Sequence, residues 1–264
     1  MYDFNYHRPA SLDDAVRLMG SAEDGKYMSG GMTLIPTLKQ RLAQPSDVID
    51  LGALRNSGIE VTGNTVTIRA GTTHETVAMS AEVARAIPAL AYLASIIGDP
   101  HVRHRGTIGG SIANNDPAAD YPAACVGLAA TIRTNRREIP ADDFFTGLFE
   151  TALEPDEIIT SVSFPVPQKA GYAKFRNPAS RYAMVGVFVA QTAAGPRVAV
   201  TGAGACVFRV PEMEQALAGN FSPKALEGIA ISADGLNSDI HASAEYRAHL
   251  VGVMARRATE QANR

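Results

Sequence analysis

Only two cysteines, Cys125 and Cys206, occur in this sequence, and their scarcity excludes whole classes of chemistry. A disulfide framework, a four-cysteine zinc site and a thiolate-held iron–sulfur cluster each need more. Both cysteines sit in small, apolar surroundings ("AACVGLAA", "GAGACVFRV"), as buried small hydrophobes do. No apolar run approaches the roughly 18 residues of a membrane-spanning helix. A basic excess is also missing. With 24 Lys and Arg against 27 Asp and Glu, the net charge is −3, which gives no electrostatic case for nucleic acid or an anionic membrane. The start, "MYDFNYHRPASLDDAV", has no apolar segment of the signal-peptide kind, so a cytoplasmic protein is expected.

Familiar motifs are absent as well. No GxGxxG follows the first strand pattern and no GxxxxGK[ST] exists, so a Rossmann dinucleotide domain and a P-loop enzyme are poorly supported. There is no GxSxG elbow, no Ser/His/Asp arrangement and no HExxH. His101 and His104 lie three apart, but no carboxylate or cysteine partner beside them suggests a metal, and no metal site is expected.

What the sequence does have is periodicity. The 264 residues suggest one large domain or two to three small ones. Ser11 reads as the N-cap of a helix in "SLDDAVRLMG", with Leu12, Ala15, Val16 and Met19 at helical spacing. "KYMSGG" reads as a strand broken by Gly30 and Gly31, "TLIPTLKQRL" as a helix from near Thr33, and "DVIDLG" as a buried strand. "IEVTGNTVTIRAG" carries the Gly63-Asn64 signal of a hairpin. "THETVAMSAEVARAI" and "PALAYLASII" read as helices, "AACVGLAA" as another, and "EIITSVSFP" as a β-rich run. "RHRGTIGGSIANNDPAADYPAA", from Arg103 to Ala124, shows no period after Ile112 and reads as a loop shaped around a ligand. A shift to Pro, Gly and Lys at Pro165–Gly171 marks a boundary. Beyond it come strands "YAKFRN", "AMVGVFVAQT" and "RVAVTGAGA", then helices "PEMEQALAG", "SPKALEGIA" and "SAEYRAHLVGVMARRATEQA". The expected fold class is α+β.

Two places share one local logic: "SGGMT" (Ser29, Gly30, Gly31, Met32, Thr33) and "GTIGGS" (Gly106, Thr107, Ile108, Gly109, Gly110, Ser111). Glycine lets backbone approach a ligand closely and adopt positive φ. Successive N–H groups can then bind an anion, with the neighbouring hydroxyls as further donors. One such loop could hold a phosphate, and two in one domain could clasp a pyrophosphate. Tight turns use glycine pairs too, so a purely structural role stays open for either.

"YMSGGMTLIPTLKQRL", "RGTIGGSIANNDPAADYPAA" and "DIHASAEYRAHL" together resemble the FAD-binding medium subunit of molybdenum hydroxylases, the family of aerobic carbon monoxide dehydrogenase and xanthine dehydrogenase. The resemblance covers essentially the whole chain. It implies a two-subdomain FAD-binding domain of the vanillyl-alcohol-oxidase (PCMH) type, with subdomains over 1–57 and 58–167. A C-terminal α+β flavoprotein domain over 168–264 would follow, with a small antiparallel sheet and a helix bundle. It implies FAD on the two glycine loops, an aspartate (Asp120) near the ribityl hydroxyls, and apolar contacts from Ile97 and Ile159. Asp120 also reads as a helix N-cap, and both isoleucines read equally as core. Arg176 matches a position where some relatives carry a lysine near the flavin, and Tyr182 one where an aromatic covers the ring; an ordinary buried tyrosine is the alternative.

The resemblance further implies a small [2Fe–2S] subunit and a large molybdenum–pterin subunit as partners, in a dimer of heterotrimers. This chain would then be the electron-transfer subunit between the clusters and an external acceptor, with no catalytic acid or base of its own. A free-standing FAD-dependent oxidase of the vanillyl-alcohol-oxidase type is the competing reading, although the residues after Pro167 are few for a substrate domain. A structural subunit that has lost flavin is the third, and both glycine loops argue against it.

Overall fold

The computed structural model describes residues 1–264. The chain opens with β1 (Asn5–His7), α1 (Leu12–Ser21), β2 (Gly25–Met28), α2 (Leu34–Lys39) and β3 (Asp47–Asp50). The strands form a parallel sheet in the order β1-β3-β2. Ser11 caps α1 by accepting from the Asp14 amide, and Ala15 is the helix residue buried on the sheet.

The hairpin expected at Gly63-Asn64 is β4 (Ile59–Thr62) with β5 (Thr65–Arg69). The expected helical run after it is split into α3 (His74–Met79) and α4 (Ala81–Ala86). Ser80 divides the two, accepting from the Val83 amide as the cap of α4. Then come α5 (Pro88–Ser95), α6 (Pro100–Arg103), α7 (Ile108–Asn114) and α8 (Tyr121–Gly127). The segment expected to be a loop from Arg103 thus contains a helix. Thr107 caps α7, and Ile108 and Ile112, one turn apart, are both fully buried, which outweighs the low helix propensity of Gly109 and Gly110.

β6 (Thr131–Thr134), β7 (Glu138–Pro140) and β10 (Ile159–Pro165) complete an antiparallel sheet in the order β4-β5-β10-β6-β7. Between β7 and β10 lie α9 (Ala141–Phe144) and the small pair β8 (Phe145–Gly147) and β9 (Glu150–Thr151).

The last part is β11 (Lys169–Arg176), β12 (Ala183–Thr192), β13 (Gly195–Thr201) and β14 (Phe208–Arg209), antiparallel and in sequence order. After them come α10 (Pro211–Gly219) and α11 (Ala244–Ala262). Both faces of this sheet are covered, and the residues alternate accordingly. Tyr172, Phe188, Ala190 and Ala199 join the core that also holds Leu90, Leu93, Ala124 and Cys125. Ala173, Val185, Val187, Val189 and Val198 instead meet Leu250, Val251, Met254 and Ala258 of α11. The expected helix bundle is corrected to two helices laid on a sheet. "SPKALEGIA" supplies only a 3-10 turn, Pro223–Leu226, which stops short of Gly228 at φ +78°. No helix of the chain is long and apolar enough to cross a membrane.

Candidate functional site

The first glycine loop leaves β2 at Met28 and enters α2 at Leu34. Gly31 has φ +74°, the left-handed region in which a side chain is strained. Gly30 serves another end. A Cβ on it would be driven into the carbonyl oxygen of Arg105 and lie 3.0 Å from the Cα of Gly106. Glycine here lets the first loop touch the backbone of the second. None of the successive N–H groups from Ser29 to Thr33 has an acceptor in the chain. Thr33 is exposed and the four residues before it are half-buried, so the run of free amides can face a ligand, which is what an anion-binding turn offers.

The second loop is built differently. Its amides are already bonded: Ile108 donates to Thr72 O (3.1 Å) and Gly109 to Ala70 O (2.9 Å). Gly110 donates to Thr107 Oγ1 (3.2 Å) and Ser111 to Thr107 O (3.0 Å). Gly109 is a packing glycine, since its Cβ would come 2.6 Å from the Cβ of Ala70. Gly110 is exposed, and its Cβ would meet only Thr107 Oγ1 at 3.0 Å and Ser29 Cβ at 3.9 Å. The two loops meet through one side-chain bond, in which Thr107 Oγ1 donates to Ser29 Oγ at 3.0 Å.

These facts test the fit of a dinucleotide. A pyrophosphate needs closely spaced donors and room for its oxygens. The free amides at Ser29–Thr33 supply the donors, and the side-chain-free face of Gly110, opposite Ser29, supplies room. The residues fit the group. The donors come from the first loop, while the second contributes hydroxyls and a close wall.

Asp120 stands at the N-cap position of α8 but makes no capping bond. Its carboxylate is 5% exposed and faces Lys174, 3.0 Å away and 1% exposed, while Tyr172 OH donates to Oδ1. Burial pushes the Asp120 carboxyl up; the Lys174 charge and the hydrogen bonds from Tyr172 and Lys174 oppose that shift. Lys174 also donates to Ile96 O at 3.0 Å. Sequence reasoning missed Lys174 and picked Arg176 as the cation of this strand. Arg176 is exposed at the end of β11.

Tyr182 is 47% exposed, at the end of the turn joining β11 to β12, so it is no ordinary buried tyrosine. Asn177 closes that turn by donating to Tyr182 O and accepting from the Arg181 amide. Arg181 reaches Gly98 O at 3.4 Å, so the turn leans toward the segment before the second loop. Asp116 and Asp120 contribute to the raised pKa of Tyr182, after the larger effect of burial. Ile159 is 6% exposed within the main core; Ile97 is half-buried against that core. Ile108 is fully buried and Met32 half-buried.

Sequence reasoning also passed over His74. Its amide donates to Gly106 O at 3.0 Å, and its ring lies under Gly106, whose Cβ would meet Nε2 at 2.6 Å. Burial, with Arg103 assisting, lowers its pKa to about 4. His74 Nδ1 and the nearby Tyr121 OH, their rings 5.4 Å apart, are buried without partners.

Comparison with known proteins gives the arrangement a context. Residues 2–167 match the family model described as the FAD binding domain in molybdopterin dehydrogenase. Residues 170–262 match that of the CO dehydrogenase flavoprotein C-terminal domain. The nicotine 6-hydroxylase medium subunit of Paenarthrobacter nicotinovorans is 39% identical, over 97% of this chain and 96% of that one. The carbon monoxide dehydrogenase medium chain of Afipia carboxidovorans is 36% identical over 98% and 96%. In structure, reconstituted CO dehydrogenase from Oligotropha carboxidovorans superposes with a TM-score of 0.92 at 33% identity, covering 98% of this chain and 97% of that one.

Proposed function

The chain belongs to the FAD-binding medium subunits of the molybdenum hydroxylases, and from that premise we propose that it is the electron outlet of a heteromeric enzyme. In this reading, substrate is oxidised at a molybdenum–pterin centre in a large partner subunit. Electrons pass through [2Fe–2S] clusters in a small one and leave for an external acceptor from the flavin held here. Two such heterotrimers pair. Two cysteines are too few for a cluster's own ligands, which supports placing the clusters on a partner.

FAD, when bound, supplies a carrier that exchanges electrons singly or in pairs. The residues of this chain bind and orient it. The amides of Ser29, Gly30, Gly31, Met32 and Thr33 would hold pyrophosphate oxygens, with the hydroxyls of Ser29, Thr107 and Ser111 beside them. Gly109 and Ile108 fix the second loop from behind, and Gly110 leaves it open in front. Asp120 lines the ribityl side, with Tyr182 and Arg176 on the C-terminal domain toward the ring. Ile97 stays a candidate for apolar contact; Ile159, sealed in the core, is assigned to packing. The working division is 1–57 and 58–167 for the FAD-binding subdomains and 168–264 for the flavoprotein domain.

The observation that carries the reading is the unpaired amide run of the first loop. Acid extraction of the complex purified with its partner subunits should release FAD, and release of FMN alone would reject a pyrophosphate clasp. Rapid mixing of substrate with deflavinated complex should bleach the clusters at a near-normal rate while blocking transfer to the acceptor. Loss of cluster bleaching in an assembled, flavin-free complex would contradict the outlet role.

A further inference from the structure

The segment from Ile96 to Asp120 carries α6, the second glycine loop and α7, and its tip touches the first loop through Thr107 and Ser29. One side chain outside the segment is bonded to both of its ends. Lys174 Nζ donates to Ile96 O at 3.0 Å and to the Asp120 carboxylate at 3.0 Å. Lys174 lies on β11 of the C-terminal sheet, on the face shared with Tyr172, whose hydroxyl also donates to Asp120. Strand β13 adds to the same base: Thr201 Oγ1 donates to Pro117 O and Ala119 O, at 2.9 and 2.6 Å. The surrounding interface is apolar, with Tyr172, Phe188 and Ala199 packed into the core of the FAD-binding domain.

An ion pair in such a place is a poor way to gain stability. A well-packed hydrophobic pair of similar volume is often as stable or more so. What a buried pair with fixed bonds can supply is a single geometry. We propose that Lys174 is a positioning residue for the flavin cradle: from the C-terminal domain it ties Ile96 to Asp120, closes the base of segment 96–120, and so holds the second loop at the spacing the first loop needs. The inference rests on the proposed FAD site, and it assigns to the C-terminal domain a role in cofactor binding that needs no contact with the cofactor.

The test separates position from packing. In the complex with its partner subunits, FAD affinity and melting temperature are measured for wild type, Lys174→Met, the double variant Asp120→Leu/Lys174→Met, and Tyr172→Phe. Lys174→Met leaves the Asp120 carboxyl buried without its cation, and should lower both quantities. The double variant removes that penalty, so its melting temperature should return to near wild type. Its FAD affinity should stay at least about tenfold weaker, through loss of the tie and of the Asp120 carboxylate together, whereas Tyr172→Phe keeps that carboxylate and reads its support alone. Tyr172→Phe, which keeps the ring, should fold normally and bind FAD about threefold more weakly. A double variant, or a Tyr172→Phe protein, that folds and binds FAD as wild type does would overturn the positioning role. Wild type without FAD would instead overturn the cofactor reading beneath it.

Discussion

In the first glycine loop the amides of Ser29 to Thr33 stand without acceptors, whereas in the second the amides of Ile108 to Ser111 are bonded to Thr72, Ala70 and Thr107. Their glycines differ to match. Gly31 takes a left-handed φ and Gly30 allows backbone-to-backbone approach, while Gly109 makes room for Ala70 in the core. Similar letters therefore serve different ends. One loop is a donor set waiting for an anion; the other is a rigid wall whose donors are used up in holding it to β5 and the turn after it. A ligand bound between them should draw its enthalpy from the first and its geometry from the second.

The largest effect should come from forcing the two apart. Gly30→Val places a branched side chain against Arg105 O and Gly106 Cα, so the loops cannot keep their contact. FAD affinity should fall by about a hundredfold or more, read by flavin retention and fluorescence titration. Gly110→Ala, whose Cβ meets Thr107 Oγ1 at 3.0 Å and Ser29 Cβ at 3.9 Å, should leave the fold and the contact between the loops intact and, by taking up only part of the room for the pyrophosphate, weaken FAD less than Gly30→Val does. Equal losses at the two positions would erase the distinction between the loops.

Acid should act on the second loop through His74, whose ring lies under Gly106. Its folded-state pKa is depressed to about 4 from 6.5, so between those values the unfolded chain binds a proton that the folded chain refuses. Stability is full above pH 6.5 and falls as the pH drops toward 4, by about 3 kcal/mol in all. Urea titrations at pH 7.5 and 4.5 should show the loss, and His74→Gln should flatten it. A slope unchanged in that variant would assign the acid sensitivity elsewhere.

A smaller effect belongs to the bond between the loops. Thr107→Val removes the hydroxyl that caps Gly110 and reaches Ser29. It should cost about 1 kcal/mol in thermal unfolding and a few-fold in FAD affinity. An unchanged melting temperature would mean that α7 is held by Ile108, Ile112 and its bonds to Thr72 and Ala70 without need of the cap.

Much of this was legible in the sequence, and the gaps have physical causes. The glycine pairs, the Ser11 cap, the Gly63-Asn64 hairpin and the long C-terminal helix are local signals, written in adjacent residues. Which amides remain free is not local, because the carbonyls of Thr72 and Ala70 that occupy the second loop come from a distant strand end. Lys174 was missed for the same reason. Its place on the Tyr172 face of a strand follows from period two, but no spacing says that Ile96 and Asp120 lie opposite. Arg176, two residues on, shares that face yet ends exposed where the strand runs out. The helix expected over "SPKALEGIA" shrinks to one tight turn between Pro223 and Gly228, so the helix bundle that the resemblance implied becomes two helices on a sheet.

Hydrogen exchange resolved to single amides, on the complex with and without FAD, tests the contrast most directly. Without FAD, the amides of Ser29 to Thr33 should exchange fast and those of Ile108 to Ser111 slowly. Adding FAD should slow the first set strongly and the second little. Protection already present at Ser29 to Thr33 without FAD, or protection by FAD appearing only at Ile108 to Ser111, would contradict the assignment of the first loop as the donor set.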